Sequence, residues 1–222
     1  MDAVIDNFGT LWSGFLRTLS LLGIAGVGAL ALGVLVAGFR VSPVAPLRAI
    51  GTVYTELFRN IPLTLVLFGC AFMLPYLGVR FPGLTPQESY FALACIGLTA
   101  YTAPFIAEAV RSGINGIPVG QAEAARSIGL GFGQTLGLVI LPQAVRMTIP
   151  PIINVLIALT KNTSIAGGFF VVELIASSRT VINIRGDEVI AILLAVAVFY
   201  LVVTVTLGRI AAVVEKRVAV LR

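Results

Sequence analysis

Histidine is absent from the 222 residues, and charged residues make up only 11% of them. The first absence removes the most common metal ligand and the side chain that most often acts as a general base near neutral pH. The two cysteines, Cys70 and Cys95, each lie inside an apolar run, which favours buried reduced thiols over a disulfide or a metal site. Neither residue types nor spacing therefore indicates a catalytic or a metal-binding centre.

Lysine is almost as scarce, because Lys161 and Lys216 are the only two in the sequence. A Walker A loop has a glycine directly before its lysine and a serine or threonine directly after it. Here Thr160 and Glu215 precede the lysines, so the sequence contains no such motif. We therefore expect no cofactor on this chain, and any process driven by ATP would need a partner that binds the nucleotide.

Hydrophobic residues, in contrast, make up 58% of the chain, and the mean hydropathy is +1.03. Such values are typical of integral membrane proteins, and the length leaves room for one membrane domain, 1–222. The net charge of +5 is spread between apolar runs without a polybasic face, which indicates membrane orientation and no nucleic-acid partner. Asp2 and Asp6, with no basic residue before Arg17, predict that no cleavable signal peptide is present.

Five segments with few charges are long enough to cross a bilayer, which takes about 20 apolar residues. Four of them contain 19 to 22 residues without any charge, and the other is interrupted only by Lys161. Residues 127–145 are also uncharged, but four glycines, Pro142 and Gln143 make them a poor span and favour an interfacial loop. We predict an all-α membrane protein whose five spans lie at about 18–39, 60–79, 89–111, 147–172 and 189–208.

The basic residues favour one orientation of these spans. Cytoplasmic segments of membrane proteins carry an excess of lysine and arginine. An N-terminus outside and a C-terminus inside place ten basic residues inside and four outside, whereas a sixth span at 127–145 would move the basic tail outside. The inner ones are Arg40, Arg48, Arg59, Arg111, Arg126, Arg146, Arg209, Lys216, Arg217 and Arg222, and the outer ones are Arg17, Arg80, Arg179 and Arg185.

Between the third and fourth spans, the sequence predicts a short helix. Pro118 suits its start, and Gly129 suits the position just past its end. A helix of this size is roughly 16 Å long, too short to cross a hydrocarbon core of ~30 Å. Ala124 and Ala125 leave its backbone approachable, so the helix is suited to being held by another protein.

The amino-acid sequence of this region resembles the EAA loop of bacterial ABC-importer permeases. The resemblance rests on Glu123-Ala124-Ala125, on Gly129 six residues after Glu123, and on Val139-Ile140-Leu141-Pro142. Gly120-Gln121 and the segment 141–146 narrow it to the polar amino-acid permeases of the histidine/glutamine/glutamate type, closest to the glutamate/aspartate branch. The residues that would couple to the ATPase are Gly120, Gln121, Glu123, Ala124, Ala125 and Gly129.

The resemblance implies a MetI-like, type I importer permease, with residues 112–146 as a cytoplasmic coupling loop. Such a chain is a non-catalytic subunit in the bacterial inner membrane that forms half of a pore for amino acids. The implied partners are two ATP-binding subunits, a second permease (a related chain or this chain itself) and an extracytoplasmic amino-acid-binding protein. Residues 209–222 further suit a basic helix at the anionic inner leaflet of the membrane lipid.

Lys161 is the only charged residue inside the predicted fourth span, where a cation is costly without a partner or a watery path. Asn154 and Ser164 share its helical face, which is typical of a cavity wall. Lys161-Asn162-Thr163-Ser164 also resembles the segment with which the family lines its translocation path, and Asn154 resembles the asparagine after its proline pair. A lysine that is paired within the chain for structural reasons is the alternative.

A lysine on the path would attract a carboxylate. The sequence of this segment is most similar to that of permeases for glutamate or aspartate, and the resemblance implies one of these two substrates. Charge alone does not separate glutamate from glutamine, because every amino acid has an α-carboxylate.

Two further pairs resemble family motifs at the inner ends of spans. Arg59 and Pro62 match two positions of an Arg-Gly-Thr-Pro turn, and Glu108 and Arg111 lie one helical turn apart at the end of the third span. The resemblance implies a role in gating or in positioning the loop. Interfacial anchoring by Arg59 and simple bracing of the helix by the Glu108–Arg111 pair are the alternatives.

A self-sufficient channel or an ion-coupled secondary carrier is the alternative function. No acidic residue lies in the middle of a predicted span to carry a proton or sodium, and five spans do not divide into equal repeats. A membrane enzyme is a third possibility, but the spacing reveals no pairing of a nucleophile with a base. Only the ABC importer requires an ATPase partner, so dependence of transport on an ATPase distinguishes it from the channel, the carrier and the enzyme.

Overall fold

The protein is helical in the computed structural model, which describes residues 1–218. Within these residues no β-strand occurs. The 219–222 end of the predicted basic tail, including Arg222, lies outside the described residues. The principal helices are α1 (Asp2–Asp6), α2 (Phe8–Val41), α3 (Ala45–Asn60), α4 (Leu63–Tyr76), α5 (Pro86–Asn115), α6 (Val119–Ser127), α7 (Phe132–Gly168), α8 (Leu174–Ile184) and α9 (Val189–Val218).

Helices α2, α5, α7 and α9 supply four stretches long and apolar enough to cross a bilayer. Helices α3 and α4 meet at 103° and together form a further candidate, so residues 1–218 contain four spans, or five if this bent pair is one span. Helix α2 alone has 34 residues, or ~51 Å of helix, which exceeds a hydrocarbon core of ~30 Å. The prediction of an all-helical membrane protein is confirmed.

The second predicted span, 60–79, differs from the structure because it is broken near its start. Helix α3 ends at Asn60, since Pro62 disfavours a helical conformation at the residue before it, and Ile61 is extended with ψ of 136°. The carbonyl of Pro62 then accepts from the N–H of Leu65 at 3.0 Å and opens α4. Pro62 therefore lies at the corner between the two helices.

The stretch 127–145, interpreted above as a loop within the coupling segment 112–146, is mostly helical. Helix α7 begins at Phe132 and continues through a wide π-helical turn, Thr135–Ile140, into the predicted fourth span. Pro142 has no N–H to donate to the carbonyl of Leu138, and the π turn lies directly before this proline. The glycines of this stretch did not prevent the helix from forming.

Helix α2 is central and contacts α3, α5, α7 and α8. Its side toward α5 is made of small residues, and a Cβ added to Gly33 would lie 2.7 Å from Cβ of Ile106. Ala29 and Ala37 are buried against the same helix. Because helices in lipid gain little from burying apolar surface, close contact between small residues holds this pair together.

Charged side chains gather at the two ends of the bundle. At one end, Arg40 of α2 and Arg111 of α5 both bind Glu108. At the opposite end of α2, Asp6 lies 3.6 Å from Arg185, which follows α8. The helices between these ends carry few charges, which suits a protein that crosses a bilayer. Helix α6 follows α5 directly and lies at the end with Glu108.

Candidate functional site

A groove between α5 and α7 contains two adjacent cavities. The amide chamber has a volume of about 440 Å³ and the arginine chamber about 370 Å³, and Phe105 and Val155 line both. The other residues of the amide chamber are Tyr101, Thr102, Asn154, Ala158, Leu159 and Asn162. The other residues of the arginine chamber are Arg59, Glu108, Ala109, Ser112, Gly113, Met147 and Pro151.

The α7 wall of the amide chamber carries Asn154, Ala158 and Asn162 at intervals of four, which is one face of a helix. On α5, Thr102 is buried, and its Oγ1 has no hydrogen-bond partner within the described chain. The two asparagine amides each provide a donor and an acceptor. This chamber can therefore bind a small polar molecule, and two of the predicted path residues, Asn154 and Asn162, line it.

Lys161 precedes Asn162, and its side chain is exposed at the surface of the chain. Across residues 1–218, no carboxylate lies within 4.0 Å of its ammonium group. The Ser164 hydroxyl donates to the Lys161 carbonyl at 2.6 Å, so it stabilises the end of the helix. The described chain thus supplies no carboxylate that would make Lys161 a structural ion pair.

Thr163 occupies a different position from its neighbours. Its side chain is 0% exposed, and its hydroxyl donates to the carbonyl of Thr160 at 2.6 Å. The residues of the predicted path segment therefore fall into two groups: Thr163 is buried in the core, whereas Lys161 and Asn162 remain accessible.

The arginine chamber is bordered by a cluster of charges around Glu108. Its carboxylate accepts from Arg40 and from Arg111, whose Nε lies 3.3 Å from Oε2. A guanidinium nitrogen of Arg59 lies 3.9 Å from the same oxygen. The structure thus brings together three of the four predicted gating residues and adds Arg40, which sequence reasoning missed. Arg40 is 68 positions from Glu108, and no spacing rule connects them.

Arg59 is the least tightly held member of this cluster. Its distance to Glu108 exceeds that of a hydrogen bond, and its side chain is 45% exposed. The guanidinium carbon instead lies 5.8 Å from the centroid of the Phe105 ring, within the range of a cation–π contact. Arg59 therefore connects the charge cluster to the residue that both chambers share.

Helix α6 begins after Pro118 and ends in a Schellman motif. Gly129 has a φ of +90°, its N–H donates to the Arg126 carbonyl at 3.0 Å, and the Leu130 N–H donates to the Ala125 carbonyl at 3.1 Å. The short helix predicted between Pro118 and Gly129 is therefore present in the structure.

The surface of α6 divides the predicted coupling residues into two groups. Glu123 and Ala124 are exposed, as are Gly120 and Gly129 at its ends, whereas Ala125 is only 5% exposed and packs inside the chain. Gln121 is half-buried, and its side-chain carbonyl accepts from the Gln143 amide of α7. Large apolar side chains lie exposed around the helix, namely Val119, Ile128 and Phe132.

The profile of one protein family matches residues 29–220 of the chain. It is the family described as binding-protein-dependent transport system inner membrane component. This match extends over both chambers and over α6.

Curated relatives match over most of their own length. The glutamate transport system permease protein GluC of Corynebacterium glutamicum is 40% identical over 212 residues, which cover 90% of this chain and 93% of the relative. The probable glutamine ABC transporter permease protein GlnM of Bacillus subtilis is 40% identical and covers 94% and 93%. The glutamate/aspartate import permease protein GltJ of Escherichia coli is 34% identical and covers 79% and 74%.

Solved structures share the fold. A chain of a crystal structure described as an amino acid ABC transporter with histidines superposes with a TM-score of 0.87, at 24% identity and 96% coverage of both chains. A chain of the MetNI methionine ABC transporter in an inward-facing conformation gives 0.70, at 24% identity and coverage of 94% and 98%. At these identities the likeness establishes the architecture alone.

Proposed function

The chain belongs to the family of binding-protein-dependent transport system inner membrane components, and from that premise we propose that it forms half of the pore of an ATP-driven importer for glutamate or aspartate. At the coarser level, it is a multi-pass inner-membrane permease subunit of an amino-acid ABC importer. It is a non-catalytic subunit, since ATP hydrolysis in such systems belongs to a partner ATPase. The resemblance read from the EAA loop is confirmed at the level of the family.

The observation that carries the proposed contact with a substrate carboxylate is that Lys161, beside the amide chamber, has no ion-pair partner within the described chain. No carboxylate of the described chain neutralises its charge, and the next residue, Asn162, lines the chamber. A cation within an apolar membrane span is costly unless a partner or water stabilises it. A substrate carboxylate would supply that partner at each transport cycle. The names of two relatives, which specify glutamate or glutamate/aspartate transport, support an acidic substrate.

Coupling to ATP would pass through α6. Glu123 and Ala124 face outward, and the exposed apolar side chains of Val119, Ile128 and Phe132 surround them. We place this surface in the cytoplasm, in a groove of the ATPase, with the N-terminus outside and the C-terminus inside. Closure of two ATPases would then move α6 as a rigid body and switch the pore between its two orientations. A second permease and an extracytoplasmic binding protein complete the assembly.

Uptake into proteoliposomes tests this function. The chain is purified with the partners that accompany it from its native membrane, and labelled glutamate, aspartate and glutamine are compared with and without ATP. We expect ATP-dependent uptake that prefers the two acidic substrates. Uptake by this chain alone, without an ATPase, would instead support a channel or a secondary carrier.

Lys161→Ala tests the substrate contact, with Lys216→Ala as the matched control because these are the only two lysines. We expect the first variant to assemble with its partners and to lose most glutamate uptake, and the second to transport normally. Unchanged glutamate uptake in Lys161→Ala would refute the role of this lysine.

A further inference from the structure

We propose that the Phe105 ring is the gate between the two chambers of the groove and that helix α3 controls its position. This inference rests on the proposed function, since it assumes that the substrate moves along the groove between α5 and α7. In this proposal, Tyr54 and Arg59 of α3 together set the position of the Phe105 ring.

The chambers meet at only two of the residues that line them. Phe105 belongs to α5 and Val155 to α7, so each helix contributes one apolar side chain to the boundary. The asparagines lie on one side of this boundary, and Arg59 and Glu108 lie on the other. A polar solute that moves along the groove from one chamber to the other therefore passes these two apolar side chains, and a ring at such a point hinders its passage.

The Phe105 ring has a partner in each chamber. Tyr101, which lines the amide chamber, has its ring centroid 5.5 Å from that of Phe105. Arg59, which lines the arginine chamber, has its guanidinium carbon 5.8 Å from the same centroid. A cation over a ring is attracted by the electrons of its face, so Arg59 stabilises one position of the ring.

Arg59 is able to move without leaving Glu108 unpaired. The carboxylate already accepts from Arg40 and Arg111, whereas Arg59 is 3.9 Å away and lies at the end of α3. A small displacement of the Arg59 end of α3 would therefore change the contact between Arg59 and Phe105, while Glu108 would still accept from Arg111 of its own helix.

Helix α3 also holds α5 at a second point, directly beside the gate. Pro104, which precedes Phe105, has no N–H to donate to the carbonyl of Ala100. That carbonyl instead accepts from the Tyr54 hydroxyl of α3 at 2.7 Å. A proline in a helix permits a local bend at the missing hydrogen bond. Helix α3 thus contacts α5 on the two sides of this proline, through Tyr54 before it and through Arg59 after it. A movement of α3 would therefore change the position of the Phe105 ring.

Leakage without ATP tests the gate. The complete transporter, with its ATPase, second permease and binding protein, is reconstituted with labelled glutamate inside the vesicles, and efflux is followed with and without ATP. We expect Phe105→Ala to raise ATP-independent efflux several-fold. Phe91→Ala is the matched control, because Arg17 lies over that ring at the same 5.8 Å while Phe91 lines neither chamber.

Two further variants separate the gate from simple packing. Phe105→Leu preserves an apolar side chain but removes the cation–π partner, and we expect it to leak less than Phe105→Ala and more than the parent. Arg59→Gln should leak as well, and Arg59→Lys, which retains a cation, should leak less than Arg59→Gln. If the alanine variant fails to assemble, the leucine and glutamine variants decide the question.

The outcomes distinguish this inference from the function on which it rests. Normal ATP-driven uptake by the parent together with equal efflux from the Phe105 and Phe91 variants would overturn the gate and leave the importer intact. Absence of ATP-driven uptake by the parent complex would overturn the proposed function and the gate with it.

Discussion

The side-chain amide of Gln143 donates to the side-chain carbonyl of Gln121 and so joins α6 to the base of α7. The same amide nitrogen donates to the carbonyl of Val139, at 2.8 Å, inside the π-helical turn. Helix α7 continues from this point to Asn154 and Asn162 in the amide chamber. If α6 moves during coupling, as proposed, α7 would transmit the movement to the chamber as one continuous helix.

Gln143→Ala should weaken this connection and uncouple hydrolysis from transport. A hydrogen bond of this kind contributes about 0.5–1.5 kcal/mol, so we expect a folded protein that hydrolyses more ATP for each glutamate imported. The ratio of the two rates in proteoliposomes measures the effect. Gln134→Ala is the control, since within residues 1–218 its side chain accepts only from the nearby Gly131 N–H.

A double variant strengthens the same test. If Gln121 and Gln143 act through each other, Gln121→Ala combined with Gln143→Ala should be no worse than either alone. Additive losses would contradict a direct connection between the two helices.

The double exchange Glu108→Arg with Arg111→Glu tests whether Glu108 serves only its neighbour on α5. A simple i, i+3 brace would tolerate the exchange. We expect it to fail, because Arg40 and Arg59 would then face a guanidinium at position 108. The measurements are glutamate uptake and the melting temperature of the purified complex. Recovery of both to parental values would show that the brace is the only role of this carboxylate.

Glu173→Ala should destabilise the fold, although the side chain lies outside both chambers. The carboxylate is 0% exposed and accepts from the N–H groups of Ile175 and Ala176, each at 2.9 Å, at the start of α8. Each buried donor left unpaired costs about 1–3 kcal/mol. The hydroxyls of Thr18 and Tyr200 also contact the carboxylate.

The melting temperature of the purified chain measures this loss. Tyr200→Phe removes one hydroxyl that donates to the carboxylate and leaves the carboxylate in place, so its melting temperature should fall less than that of Glu173→Ala. Equal values for the parent and Glu173→Ala would contradict the importance of the buried carboxylate.

Gly33→Ala should destabilise the contact between α2 and α5. The added methyl would lie 2.7 Å from Cβ of Ile106 and 2.9 Å from the Ala103 carbonyl, and overpacking of this kind costs about 1–3 kcal/mol. Gly23→Ala on the same helix is the control, because nothing lies within 4 Å of its new methyl. A lower melting temperature for the first variant only is the expected result, and equal values would exclude close packing at Gly33.

Much of the fold follows from local chemistry in the sequence. The apolar runs required membrane helices because unpaired backbone groups are not tolerated in lipid. Pro118 and Gly129 marked the two ends of α6 for the same kind of reason, since each has a backbone conformation that suits one terminus. These features depend on a residue and its near neighbours along the chain.

The sequence misled where tertiary packing or a neighbouring turn decides the structure. The glycines of 127–145 and Pro142 favoured an interfacial loop over a span, but α7 begins at Phe132 and continues through a π turn and past Pro142. Thr163 shared a motif with Lys161, yet it faces the core, because neighbouring positions on a helix point in different directions.

The sequence by itself determined an all-helical membrane protein, the family resemblance and the place of the short helix α6. All three depend on residues that are close together along the chain. Only the tertiary structure decided that Arg40 binds Glu108, that Tyr54 fills the gap left by Pro104, and that Phe105 lies between two chambers. The first two contacts join residues that are 68 and 46 positions apart in the sequence, and the third involves two different helices across a groove. Their geometry depends on how the helices pack, and no local pattern of residues encodes it.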